Sequence, residues 1–286
     1  MIDDVPEPLL SRVIVGGLRK AVRVLHVTDT HVCRVDEGHE HAKACRGRWE
    51  MRKGDALERR VERIFARAAE GDLDAVLLTG DIVEFPMPAS LMWVRERLER
   101  CAAPVHYIAG NHDANFSDTP WNGAIRAKEL PRLAPLFGPR APALFDRFEI
   151  GGLQFLSVDD STYQISEEQL EFVRKHLAGG MPTVLMIHIP LSTPELKVRT
   201  VAKWKAPILM GEPLEAWAVK AFMADPPVVE TAAFIELLRG AKNLQAVLCG
   251  HVHFAHEERF SATALQLVGP AGFDGECRVI EFVPGK

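Results

Sequence analysis

Five apolar runs in this chain end in the same kinds of residue. The first passes from Leu25-His26-Val27 into Thr28-Asp29-Thr30-His31, and the second from Leu77-Leu78-Thr79 into Gly80-Asp81. The third leads from Ile108-Ala109 into Gly110-Asn111-His112-Asp113. The fourth ends Met186-Ile187-His188, and the fifth Leu248-Cys249-Gly250-His251-Val252-His253. Short runs rich in Val, Ile and Leu with little alternation read as strands covered on both faces. In open α/β sheets, ligands gather outside the carboxyl ends of strands. A chain with Asp, Asn and His at five such ends is constrained to bring them to one site.

The rest of the pattern agrees. Strands are predicted over 22–27, 75–79, 105–109, 153–158, 183–187, 246–249, 264–268 and 278–282. Leu57, Val61, Ile64, Phe65 and Ala68 recur at helical spacing, as do Leu91, Val94 and Leu98. Ser166 followed by Gln169 is a capping-box pattern opening a helix with Leu170, Val173 and Leu177. A further helix covers 233–238. Strand and helix alternate, which gives an α/β fold with a layered sheet core. The 286 residues suffice for one large domain with a substantial core. The expectation is a single domain over 1–286 with insertions at about 32–54 and 190–230. The stretches 112–150 and 190–230 are proline-rich and read as irregular surface connections.

Carboxylate, amide and imidazole donors suit Mn, Fe, Zn or Co, and the lack of a thiolate disfavours Cu(I). Asp29, His31, Asp81, Asn111, His188, His251 and His253 make seven donors. That is too many for one tetrahedral zinc and right for two metals sharing a carboxylate. Gly80, Gly110 and Gly250 precede ligand candidates, where the backbone must turn tightly or approach closely.

The ordered series Asp-x-His, Gly-Asp, Gly-Asn-His-Asp, His and Gly-His-x-His resembles the calcineurin-like metallophosphoesterases. It spans residues 29 to 253. The resemblance implies a four-layer α-β-β-α sandwich with a two-metal site at the strand C-terminal ends. It assigns Asp29, His31 and His253 to the first metal, Asn111, His188 and His251 to the second, and Asp81 to both. It makes His112 a non-ligand histidine that contacts substrate or protonates the leaving oxygen, with Asp113 orienting it. Glu84 stands where relatives often carry an acid behind the metals. The implied cofactors are two divalent ions, Mn, Fe or Zn, and the implied attack on phosphorus is by a metal-bridging hydroxide. The segment from Tyr163 through Gln169 to His188-Ile189-Pro190 resembles the bacterial cyclic-nucleotide phosphodiesterase branch. That favours a small phosphodiester substrate, with nucleotides among the candidates and phosphomonoesters as the alternative.

Taken singly, each residue has a plainer reading. Asp29 and Asp81 fit helix N-caps, Asn111 and Asp113 fit turns, and His188 fits a core histidine. Only the ordered set reverses this. His39 and His41 fit a solvated loop; His176 and His256 fit the surface. Lys197, Arg199, Lys203 and Lys205 form a basic run that reads as a solvated face or a contact for a substrate phosphate. Asp159-Asp160 fits a turn cap or a place behind the ligands.

The formal net charge of −5 argues against a dedicated binder of long nucleic acids, including a nuclease on DNA ends. The five cysteines show no C-x-x-C pair, so a disulfide framework or zinc ribbon is not expected. The acidic start, Met1-Ile2-Asp3-Asp4, is unlike a signal peptide, and no stretch is apolar enough to span a bilayer. The expectation is a cytoplasmic protein with no membrane partner, for which a homodimer stays open. A catalytically inactive scaffold on the same fold is disfavoured by the complete ligand set.

Overall fold

Strand β2 (Val22–Val27) shows how the layers arise. Successive side chains of a strand point to opposite faces. Val22 and Val24 join one apolar cluster, and Leu25 and Val27 join another. Both faces are therefore covered, as the unbroken apolar run requires. The computed structural model describes residues 6–35, 39–40, 43–44, 46–47, 56–116, 119–213 and 224–285. His41 and Cys45 of the expected 32–54 insertion lie outside these, as do 214–223 of the expected 190–230 insertion.

Two sheets face each other. The first has the order β1 (Leu9–Val15), β11 (Arg278–Pro284), β2, β3 (Ala75–Thr79), β4 (Val105–Ile108). The second has the order β5 (Phe145–Ile150), β6 (Leu153–Val158), β7 (Thr183–Met186), β8 (Leu244–Cys249), β10 (Leu265–Val268), β9 (His256–Arg259). Strands β2, β3 and β4 run parallel, and so do β6, β7, β8 and β10. Ile108, Phe155, Val184, Met186, Leu248 and Phe282 fill the space between the sheets. Helices α1 (Ala56–Ala68) and α2 (Pro88–Leu98) cover the first sheet through Val61, Ile64, Phe65 and Val94. The second sheet is covered by α5 (Glu167–Leu177) and α7 (Val229–Gly240) through Leu170, Val173, Phe234 and Leu238. The chain is thus a four-layer α-β-β-α sandwich. The capping box is formed: Ser166 accepts from the Gln169 amide, and Gln169 reaches back to the Ser166 amide.

Some elements differ from the sequence reading. Strands β1, β5 and β9 were not predicted. All three lie at sheet edges, where one side is open to water and the sequence is polar or alternating, as in Phe145-Asp-Arg-Phe-Glu-Ile150. The stretches expected to be irregular contain α3 (Gly123–Glu129), α4 (Ala134–Phe137) and α6 (Pro194–Trp204). Pro135 and Pro194 open α4 and α6 instead of breaking them: Pro194 is the first residue of α6, where its missing N–H costs nothing. Asn122 caps α3 by accepting from the Ile125 amide. Among the described residues no helix is long and apolar enough to cross a membrane.

The layer between the sheets carries much of the stability. Phe155→Ala is expected to cost about 3–5 kcal/mol in urea unfolding. Ile14→Ala, at a position 70% exposed, should stay within about 0.5 kcal/mol. Similar values for the two would contradict this placement of the core.

Candidate active site

The ligand candidates follow strand ends on both sheets. Asp29 and His31 follow β2, Asp81 follows β3, and Asn111 and His112 follow β4. His188 follows β7, and His251 and His253 follow β8. The two sheets bring these loops together. Candidate ligand atoms of Asp29, His31, Asp81 and His253 all lie within 4.8 Å of one another. Those of Asp81, His188 and His251 form a second such group, so Asp81 belongs to both. All of these residues except His253 are buried.

Close backbone packing makes this convergence possible. Asp29, on the first sheet, accepts from the His251 amide on the second at 2.9 and 3.1 Å. Asp81 Oδ1 accepts from the His112 amide at 2.9 Å. A Cβ at Gly110 would overlap the Asp81 carboxylate, and one at Gly250 would overlap Thr28 Oγ1 and Asp29 Oδ2. Asp29, His31, Asp81, His251 and His253 all have φ between 45° and 70°. That region costs a non-glycine residue on the order of 1 kcal/mol. Such strain persists only where the surroundings over-determine it.

The ring orientations follow from the partners. His188 Nδ1 lies 2.7 Å from the Thr79 carbonyl, which can only accept, so Nδ1 carries the proton. His188 Nε2 then faces Asp81 Oδ2 at 3.1 Å. Likewise His31 Nδ1 donates to Glu84 Oε2 at 2.7 Å, leaving Nε2 3.1 Å from His253 Nε2. Lone pairs facing each other at these distances need a cation between them, either a proton or a metal. Asp81 Oδ2, Asn111 Oδ1 and His188 Nε2 are buried without hydrogen-bond partners. Two carboxylate oxygens, an amide oxygen and imidazole nitrogens are a donor set that fits hard-to-borderline divalent metals.

The electrostatics carry the same message. Burial raises the cost of charge on Asp29 and Asp81, yet the surrounding histidines hold both carboxyls well below the usual range. Burial also disfavours a charged His188, but Asp81 overrides it and lifts the imidazole to about 10. His251 instead falls to about 3, through burial first and then His188. The carboxylates thus favour positive charge at His31 and His188, the charge that a metal would supply.

Asp113 differs from the sequence reading. Asp113, expected to orient His112, instead accepts from the backbone amides of Val83 and Gly110, each at 2.8 Å. It ties the Gly110 turn to the loop after β3; burial and the nearby Asp81 raise its carboxyl to about 6. The carboxylate beside the His112 ring is Glu84, whose Oε2 lies 3.4 Å from His112 Nδ1 and also serves His31. Glu84 lies three residues after Asp81, and that spacing was the available signal. Asp160 accepts from the amides of His188 and Ile189, and so shapes the loop of the fourth block. Asp159 caps its own turn through Ser161. Tyr163 Oη lies 2.7 Å from His251 Nε2, a contact no local motif signals.

The basic run is engaged with the protein's own groups. Lys197 pairs with Glu212 at 2.7 Å, Arg199 meets His256 Nδ1 at 2.7 Å, and Lys205 donates to the Ala202 carbonyl. Lys203 donates to the His253 carbonyl. His256 is buried, not at the surface, and His39 stacks on Phe116.

The sandwich thus carries, at its strand ends, two groups of candidate metal donors that have Asp81 in common. A sequence profile of the calcineurin-like phosphoesterases matches residues 22–255, and the chain belongs to that family. It is 26% identical over 212 residues to a protein of Synechococcus sp. described as a probable cyclic nucleotide phosphodiesterase, covering 71% of this chain and 67% of that one. Its fold is similar to that of a dimetal phosphatase from Danio rerio (TM-score 0.56, 14% identity, 89% of each chain). It is also similar to purple acid phosphatase PPD1 of yellow lupin, Lupinus luteus (TM-score 0.55, 15% identity, 91% of this chain and 46% of that one).

Two outcomes test the site. Asp81 lifts the His188 imidazole to about 10, so a metal must displace its proton and affinity should rise with pH across the neutral range. Mn titration by calorimetry should therefore show a heat that depends on buffer ionisation enthalpy; a buffer-independent heat would contradict it. Glu84→Ala should weaken metal binding about 10–100-fold by releasing His31. Unchanged affinity in that variant would remove Glu84 from this role.

Proposed function

We propose that the chain hydrolyses phosphate esters, phosphodiesters foremost, using two divalent metal ions drawn from Mn, Fe and Zn. Asp29, His31 and His253 would hold one ion, and Asn111, His188 and His251 the other, with Asp81 shared. When bound, the ions would supply the positive charge that stabilises the attacking and leaving oxygens of an in-line displacement. The observation that carries this reading is the pair of buried donor groups that share Asp81, with Asp81 Oδ2, Asn111 Oδ1 and His188 Nε2 lacking a hydrogen-bond partner.

The protein's own residues divide the remaining work. Glu84 holds one nitrogen of His112, and the opposite nitrogen is left to meet the substrate or give a proton to the leaving oxygen. His112 suits this because its side chain is 24% exposed while Asp29 and His31 are fully buried. Asp113 and Asp160 hold the loops of the third and fourth blocks in shape. A diester rather than a monoester is favoured by the likeness to the Synechococcus protein.

Mn-loaded protein should hydrolyse bis(p-nitrophenyl) phosphate faster than p-nitrophenyl phosphate, and chelation should abolish both. The reverse preference would make it a phosphomonoesterase; no turnover of either would count against catalysis altogether. His112→Ala should keep its metals and lose about 10²–10⁴-fold in turnover. Loss of metal from that variant would make His112 a ligand instead.

A further inference from the structure

The site opens to water at two imidazoles, and each is bordered by an indole. His112 has a side-chain exposure of 24% and His253 of 14%, whereas Asp29, His31, Asp81 and His188 are at 0–1%. Trp121 meets His112 edge-to-face at 5.6 Å between centroids, and Trp204 meets His253 at 5.2 Å. The rings form one row, from Trp121 through His112, His31 and His253 to Trp204. Phe273 lies against His31 and His253 but is buried. Trp204 is 38% exposed.

Trp204 is also held in place. It is the last residue of α6, and its Nε1 donates to the Val252 carbonyl at 2.9 Å, inside the Gly-His-x-His loop. Lys203 donates to the carbonyl of His253, so two successive side chains tie the helix end to the ligand loop. An exposed indole costs solubility and needs no fixed orientation if it serves packing alone. The Lys203 ammonium lies over one side of the ring, 5.5 Å from its centroid, and the exposed part of the indole borders the mouth of the site, beside whatever a phosphate bound there would carry. Aromatic faces of this kind stack nucleobases without needing base-specific hydrogen bonds.

We infer that Trp204 stacks a planar ring carried by the phosphate group, so that the substrates are nucleotide-type esters accepted with little regard to which base they carry. This rests on the phosphoesterase reading above and names the substrate class of that site. Trp204 is a specificity-determining residue in this account; the phosphate itself is held by other groups.

The test compares two ligands that share a 5′-phosphate on ribose and differ only in the base. In calorimetry on Mn-loaded protein, AMP should bind about 5- to 150-fold more tightly than ribose 5-phosphate, the gain that one base–aromatic stack gives. Trp204→Phe keeps an aromatic face and should keep most of that preference. Trp204→Leu keeps apolar packing without the face and should bind the two ligands alike, with metal content unchanged. Equal affinity in the native protein, binding of neither ligand, or a preference that survives Trp204→Leu would overturn the inference. Turnover of bis(p-nitrophenyl) phosphate by the same preparation separates the two claims. Turnover without a base preference overturns the stacking role alone, and a base preference without turnover upholds it while overturning the hydrolase reading.

Discussion

Asp29 and Asp81 are charged carboxylates in the interior, and no lysine or arginine among the described residues pairs with either. An isolated buried carboxylate is too costly to persist, so it must be paired, protonated or bound to metal. Among the described residues histidine is the only cationic side-chain partner within salt-bridge distance of either, and histidine can hand its proton over to a metal. The rest of the site follows from satisfying these two charges. The tautomers of His31 and His188 are set from behind by Glu84 and the Thr79 carbonyl, so each turns its Nε2 toward Asp81 Oδ2.

The same two carboxylates organise the backbone. Asp29 bonds the His251 amide across the gap between the sheets, and Asp81 bonds the His112 amide. Thr28 Oγ1 donates to Asp29 Oδ2 at 2.9 Å, and the space it needs is the space left by the missing side chain of Gly250. Five ligand candidates adopt left-handed backbone angles, a cost met by the packed sandwich beneath them. Stability made between the sheets is thereby spent on fixing a strained, pre-organised cluster at their ends.

This division explains what the sequence disclosed. Central strands such as β3, Ala75–Thr79, announce themselves because both faces are buried, and the ligands at their ends stand out against apolar runs. Edge strands β1, β5 and β9 carry mixed residues and leave no such mark. Helix α6 was hidden because its opening proline reads as a breaker unless the helix start is already known. At the site, the candidate ligands come from local motifs, but their supports are set by tertiary contacts. The Tyr163–His251 contact joins residues 88 apart, and Asp160 serves a loop 28 residues away. The expected pairing of Asp113 with His112 failed for a related reason: both Asp113 oxygens are taken up by the Val83 and Gly110 amides, and the carboxylate beside His112 is Glu84, from the loop after β3.

The central claim is that one carboxylate, Asp81, is shared by two metal ions. Anomalous X-ray diffraction from Mn-soaked crystals tests it most directly. Two peaks about 3.5–4 Å apart are predicted, one beside Asp29, His31 and His253, the other beside Asn111, His188 and His251, with Asp81 between them. A single peak at full occupancy, or two peaks of which only one touches Asp81, would contradict the account.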